Sequence, residues 1–310
     1  MTQSAPHPAT DAASSVVARL PIRVITPSGG ISRAGLTAGV ATLTSLGIPC
    51  RWDDDALART GYLAGPDADR ADRLMAGLRE AGGGLWMARG GYGAIRTLQT
   101  LHERGDLDTV EPQPLYGFSD GTVLVAEWLR RGWPAWSAPP LSQFHRLDAP
   151  SLARLRAVLH ANHLAPFEDL VPVRPGSTVA PLAGGNMCVL ASLLGTPFQA
   201  DLSGKIVLFE DTAEAPYKFD RMWTQLTLSG SLDDVAGIVF GQFTAISDRE
   251  RKEIGGLIDT LAATLPCPVA RGLPVGHDDE NALLPMGTAT GWQARLEVSS
   301  DDAHLAFVRV

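Results

Sequence analysis

Short apolar runs that close in glycine-rich loops and give way to helical periods constrain this chain more than anything else in it. Residues 22–26 (Ile-Arg-Val-Ile-Thr) form a β-branched run closed by Pro27-Ser28-Gly29-Gly30. Leu36, Val40 and Leu43 then mark one face of a helix, with Gly47 as its C′ residue. A second helix is predicted over residues 67–81, with Leu74, Met75 and Leu78 on one side and Gly82–Gly84 ending it. Residues 85–88 lead into Arg89-Gly90-Gly91-Tyr92-Gly93 and a third helix through Ile95 and Leu98. Leu115 and Tyr116 lead into Gly117-Phe118-Ser119-Asp120-Gly121, after which Val123, Leu124, Trp128 and Leu129 recur near helical spacing. Strands that alternate with helices pair in parallel through crossovers, so an α/β layer is expected up to about residue 145.

Beyond it the pattern changes. A helix carries Leu152, Leu155, Val158 and Leu159, and the Pro-rich stretch 166–177 reads as a connection between domains. Apolar segments at 205–209, 235–240, 268–269, 294–298 and 305–310 then suggest a second, sheet-rich domain. The division expected is a disordered leader over 1–18, an N-terminal α/β domain over 19–147, a connecting helix and linker over 148–178, and a C-terminal domain over 179–310. A chain of 310 residues is long for one core and comfortable for two.

A formal net charge of −8 argues against a nucleic-acid partner, whose phosphates call for clustered Lys and Arg. No apolar run approaches the roughly 18 residues of a membrane span. Three dispersed cysteines (Cys50, Cys188, Cys267) make no zinc spacing and read as reduced thiols. The Ala-, Ser-, Thr- and Pro-rich start has neither a basic end nor an apolar core, so it is not read as a signal peptide, and a cytoplasmic address is expected. No metal and no cofactor is called for.

Ser119 stands between two glycines where a strand turns into a helix, the local chemistry of a nucleophile elbow. A serine hydroxyl needs a base, an acid to orient that base, and donors for an oxyanion. Of the seven histidines, His7 lies in the leader, and His102, His160, His163 and His304 fall among solvated residues; the H-x-x-H pair of His160 and His163 reads as a polar helix face. His145, after Leu141-Ser142-Gln143-Phe144, and His277, in a glycine-bracketed loop over 272–279, stay open as bases. Glu210 and Asp211 follow the apolar run Ile206-Val207-Leu208-Phe209, and Glu214 precedes a helix opened by Pro216 with Phe219, Met222, Trp223 and Leu226 on one face. A carboxylate leaving a buried strand needs a partner, whereas one ahead of a helix can simply favour its N-terminus. Glu210, Asp211 and Glu214 therefore all remain candidate acids. The Asp120 amide is one oxyanion donor by elbow geometry, and the Arg89–Gly93 turn can supply another; that turn has neither dinucleotide nor P-loop spacing.

These segments in this order resemble the LD-carboxypeptidase (muramoyltetrapeptide carboxypeptidase) family of serine peptidases. The resemblance rests on Thr26-Pro27-Ser28-Gly29, Gly61-Tyr62-Leu63-Ala64-Gly65, Arg89-Gly90-Gly91-Tyr92-Gly93, Gly117-Phe118-Ser119-Asp120, Gly184-Gly185-Asn186, Glu210-Asp211 with Glu214 and Pro216-Tyr217, Asp220-Arg221, and Gly276-His277 with Pro285 and Gly287. It implies a Ser-Glu-His triad of Ser119, Glu210 and His277. It also implies a flavodoxin-like N-terminal domain, a C-terminal swivelling domain, a homodimer and a site in the cleft between domains. The implied reaction removes the terminal D-alanine from a murein tetrapeptide, whose carboxylate needs a cationic or backbone-donor partner; Arg89 is a candidate cation, against the plainer reading of a solvated or ion-paired surface arginine. The family commonly carries Gly-Pro where this chain has Ser137-Ala138-Pro139-Pro140, which reshapes one wall of the cleft. Within the family, microcin-C-immunity-like peptidases act on peptidyl or aminoacyl nucleotides, often with a longer loop near the glutamate; the compact stretch 210–220 does not suggest that insertion. An α/β-hydrolase esterase would share the order Ser…Glu…His but keep one continuous sheet. A non-catalytic binding module would give the three residues no reason to converge.

Overall fold

The computed structural model describes residues 21–80 and 82–310. The leader expected over 1–18 lies outside the described residues. The first half alternates strands with helices, with β2 and β5 added to the strands read from the sequence: β1 (Ile22–Ile25), α1 (Arg33–Ser45), β2 (Cys50–Arg51), α2 (Asp67–Arg79), β3 (Leu85–Met87), α3 (Ala94–Arg104), β4 (Leu115–Gly117), α4 (Thr122–Arg130) and β5 (Ala135–Ser137). The strands pair in parallel in the order β2-β1-β3-β4-β5, the flavodoxin-like arrangement. Helix α1 starts where the Ser32 hydroxyl accepts the Gly35 N–H, and α5 (Ala149–Ala161) where the Asp148 carboxylate accepts that of Ser151.

The second half contributes β6 (Phe167–Arg174), β7 (Gly176–Ala180), β8 (Leu182–Asn186), α6 (Met187–Leu193), β9 (Ile206–Thr212), α7 (Pro216–Leu228), β10 (Gly237–Thr244), α8 (Asp248–Leu261), β11 (Val269–Arg271), β12 (Leu284–Met286), β13 (Trp292–Val298) and β14 (Ala303–Arg309). An eight-stranded mixed sheet, nearly closed and barrel-like, runs β7-β13-β14-β6-β11-β10-β9-β8. Strand β12 leaves it and pairs antiparallel with β5, completing the edge of the first sheet.

Two expectations change. The stretch 166–177 is not a free connection: β6 bridges β14 and β11, and β7 pairs with β13. Only Leu170 of β6 is buried, so the strand carries no apolar signal, and Pro172 sits beside a register irregularity, where a residue without an N–H fits. Strand β9 also runs on to Thr212, so Glu210 and Asp211 lie within a strand and not after it.

The two sheets share a core in which Met87, Leu115, Leu124 and Trp128 meet Leu182, Leu208, Leu284 and Leu296. On the far side of the first sheet Leu36, Leu43, Leu155 and Leu159 cover Trp86 and Tyr116, whose rings stack at 4.4 Å. On the far side of the second, Phe219, Trp223 and Leu226 of α7 pack on Phe209 and Phe240, the spacing read from the sequence. With both sheets held to one core, side chains from each meet at fixed distances.

Candidate active site

Strand β4 ends at Gly117, and Ser119 takes φ 60° before a single 3-10 turn over Ser119–Gly121 enters α4. A left-handed non-glycine backbone costs on the order of 1–3 kcal/mol and persists only where its surroundings enforce it. Here they do. The buried Asp120 carboxylate turns away from the serine and accepts the Ala94 N–H at 2.8 Å, at the start of α3. Burial pushes this carboxyl above its ordinary pKa, with the Ala94 N–H opposing. This bond ties the serine turn to the Arg89–Gly93 turn that precedes α3. Gly90 has no room for a side chain: a Cβ there would lie 2.8 Å from Ser119 Cβ and 2.9 Å from its Oγ.

Glu210 is fully buried on β9, in register with Asn186 on β8. The Asn186 carboxamide donates to Glu210 Oε1 (3.3 Å) and Asp211 Oδ1 (2.9 Å), while its Oδ1 accepts the Val189 N–H (3.1 Å) and caps α6. On the other side of Glu210, β10 changes register between Phe240 and Phe243, a bulge that puts Gly241 beside it. A Cβ on Gly241 would lie 2.5 Å from the Val275 carbonyl, so this glycine lets the His277 loop approach, and Gln242 N–H holds the same carbonyl at 2.8 Å.

His277 joins the two halves. Its Nε2 lies 2.9 Å from Ser119 Oγ. Its Nδ1 lies 2.9 Å from Glu210 Oε2, an ion-pair contact set off the axis of the N–H. The Phe118 ring packs on the imidazole with centroids 4.8 Å apart. Burial pulls the His277 pKa down, but the charge and contact of Glu210, with Asp211 adding, outweigh it and leave the imidazole above its ordinary value. Asp211 does not reach the imidazole: its oxygens accept from Asn186, Thr212 N and Cys188 N. Burial and the neighbouring Glu210 push its carboxyl up to about 6 despite those bonds.

Among the three acids left open by the sequence, Glu210 alone contacts His277, since Glu214 pairs with Lys218 at 3.0 Å. Of the two histidines, His145 is exposed and His277 meets the serine. The other glycine-turn residues lie as follows. Gly91 takes φ 104°; Tyr92 is exposed near Tyr62, centroids 6.2 Å apart; Arg89 is exposed and donates to the Gly30 carbonyl at 2.7 Å. Three buried carboxamides, Asn186, Gln143 and Asn281, had no role assigned from the sequence. Asn186 was visible only as part of a Gly-Gly-Asn string, and nothing in periodicity marks a carboxamide as a clamp. Among the described residues no group of three or more metal-ligating side chains converges, and no helix is long and apolar enough to cross a membrane.

The arrangement suits acyl transfer: a hydroxyl on a strained turn, an imidazole against it and a buried carboxylate behind. Comparison with known proteins agrees. Residues 22–138 match the model of the LD-carboxypeptidase N-terminal domain and residues 179–291 that of the C-terminal domain. A putative carboxypeptidase of Synechocystis is 32% identical over 93% of this chain and 94% of its own length. The murein tetrapeptide carboxypeptidase of Pseudomonas aeruginosa is 30% identical over 86% of this chain and 91% of its own. The crystal structure of muramoyltetrapeptide carboxypeptidase from Oxalobacter formigenes superposes with a TM-score of 0.78 at 28% identity, covering 92% of this chain and 97% of that one. With both domain models matched in order and the fold shared throughout, this chain belongs to the LD-carboxypeptidase family of serine peptidases.

Proposed function

We propose that this peptidase hydrolyses the L,D-peptide bond to the terminal D-alanine of murein tetrapeptides, with Ser119, His277 and Glu210 as its triad. The observation that carries the triad is the unbroken contact from Ser119 Oγ through His277 to Glu210, 2.9 Å at each step. The relative from Pseudomonas aeruginosa supports the substrate. Glu210, which can only accept, keeps the Nδ1–H tautomer and leaves the Nε2 lone pair facing the hydroxyl. Ser119 Oγ then bonds to the scissile carbonyl carbon as its proton passes to Nε2, and Glu210 stabilises the imidazolium. The oxyanion is received by the Asp120 N–H and the Gly90–Gly91 backbone, one such donor contributing about 3 kcal/mol in the transition state. The C–N bond breaks as His277 returns the proton to the D-alanine amine, and water, deprotonated by the same imidazole, releases the acyl group. Arg89 and Tyr92, exposed on the turn beside the serine, are the groups offered to the D-alanine carboxylate. The same reading has the protein acting as a cytoplasmic homodimer on recycled wall fragments.

The test is mass-spectrometric detection of D-alanine and tripeptide from a murein tetrapeptide. Ser119→Ala is expected to abolish release while melting like the wild type. Undiminished release by that variant removes the triad, and no release by the wild type removes the substrate.

A further inference from the structure

Gln143 sits in the 3-10 segment Leu141–Arg146 after β5, on the serine's side of the molecule, and is buried. Its Nε2 donates to the carbonyls of Gly276 (2.9 Å) and Asp278 (2.8 Å), the residues on either side of His277. Its Oε1 accepts from Asn281 Nδ2 at 2.8 Å, and Asn281 is fully buried. Two carbonyl acceptors on one side and an amide donor on the other fix which way the carboxamide faces, because the flipped form would set oxygen against oxygen.

We infer that Gln143 is a positioning residue that sets the distance between His277 and Ser119. The imidazole's loop belongs to the second half of the chain, yet the backbone on both sides of it is held by a side chain from the first. A nearby tie from the same region, the Ser151 hydroxyl accepting the Asn281 N–H at 3.1 Å, holds the loop four residues further on and does not touch the histidine's own peptide groups. The Gln143 bonds thus act on the reacting geometry, whereas the Ser151 bond acts on the loop as a whole. The inference rests on His277 being the base.

The experiment compares Gln143→Ala, Gln143→Glu, Ser151→Ala and His277→Ala in the full chain. It reads kcat and KM for D-alanine release and the rate at which a fluorophosphonate captures Ser119. In that capture the Oγ–P bond forms, the P–F bond breaks, fluoride leaves and the serine proton goes to His277, with no peptide to bind. An imidazole displaced by about 1 Å is expected to cost on the order of 100-fold in kcat and in capture rate, with KM within about threefold. Gln143→Glu keeps the shape but turns a carboxylate on two carbonyls, so it is expected to lose as much as the alanine variant, and it decides the matter where the alanine variant does not fold. Ser151→Ala is expected to lower the melting temperature while keeping kcat within about twofold. Full kcat in a folded Gln143 variant, or equal kcat losses in the Gln143 and Ser151 variants, overturns the inference. Retained activity in His277→Ala overturns the triad instead.

Discussion

Replacing Glu210 by Gln tests the acid with almost no change of shape. The carboxylate is completely buried and its Oε2 lies 2.9 Å from His277 Nδ1. At that separation, and with an effective dielectric of about 20, two unit charges attract by on the order of 6 kcal/mol, an upper limit on what the imidazolium gains as it forms. The neutral amide forfeits most of that. It also presents an N–H to Nδ1 if its oxygen stays with the Asn186 donor, which drives the imidazole to the Nε2–H tautomer and points a proton at Ser119 in place of a lone pair. Neutralising the acid of a Ser-His-Asp triad in this way costs about 10⁴-fold, or roughly 5 kcal/mol, within the limit. The expected result is a kcat for D-alanine release lower by about 10³–10⁴-fold. The pH profile must move with it. Glu210 holds the His277 pKa above its ordinary value and burial lowers it, so without the charge the acid limb of kcat/KM shifts to lower pH. Glu214→Gln, which breaks only the contact with Lys218, is expected to lose at least about tenfold less. Equal losses in the two variants, or an acid limb that stays in place, would refute the assignment.

Gly90→Ala would put a methyl 2.8 Å from Ser119 Cβ, and pushing the serine aside is expected to lower kcat by on the order of 100-fold; steady-state assays showing less than a twofold loss would contradict the close approach. Asp211 carries a pKa raised from 3.8 to about 6, so it favours the folded state fully below pH 3.8, and this contribution is lost as pH rises through 6. Urea unfolding of Asp211→Asn against wild type should therefore show the variant's relative stability improving from pH 4 to pH 7, and a flat difference would show that the carboxyl is not so perturbed.

The serine turn, its helix and the parallel pairing were legible because β1, β3 and β4 are short, largely apolar strands that each end in a glycine loop; the strand order was implied only by the resemblance. Strand β6 was not: its exposed face reads like a linker, and only cross-strand pairing with β14 and β11 gives it an identity. Strand β8 hides behind Gly184 and Gly185, and β12 is three residues with a proline in the middle. The acid shows the same division. Glu210, Asp211 and Glu214 are chemically equivalent in sequence, and what separates them is the alternation of a strand that continues to Thr212, sending Glu210 to the imidazole and Asp211 to the N–H groups around α6. Gln143 drew no notice because a carboxamide acquires meaning only from the carbonyls it meets.

The return of β12 to the first sheet sets an order of events during synthesis. The parallel strands of that sheet are all made by residue 137, but its last edge is supplied by residues 284–286, and His277 emerges only just ahead of them. While the chain is still being made, the serine turn exists without the imidazole it contacts, and β5 offers an open edge that other strands can join. The ribosome must deliver the chain through residue 286 before both are in place. The imidazole that meets Ser119 and the strand that covers β5 thus arrive together, on one short segment of chain.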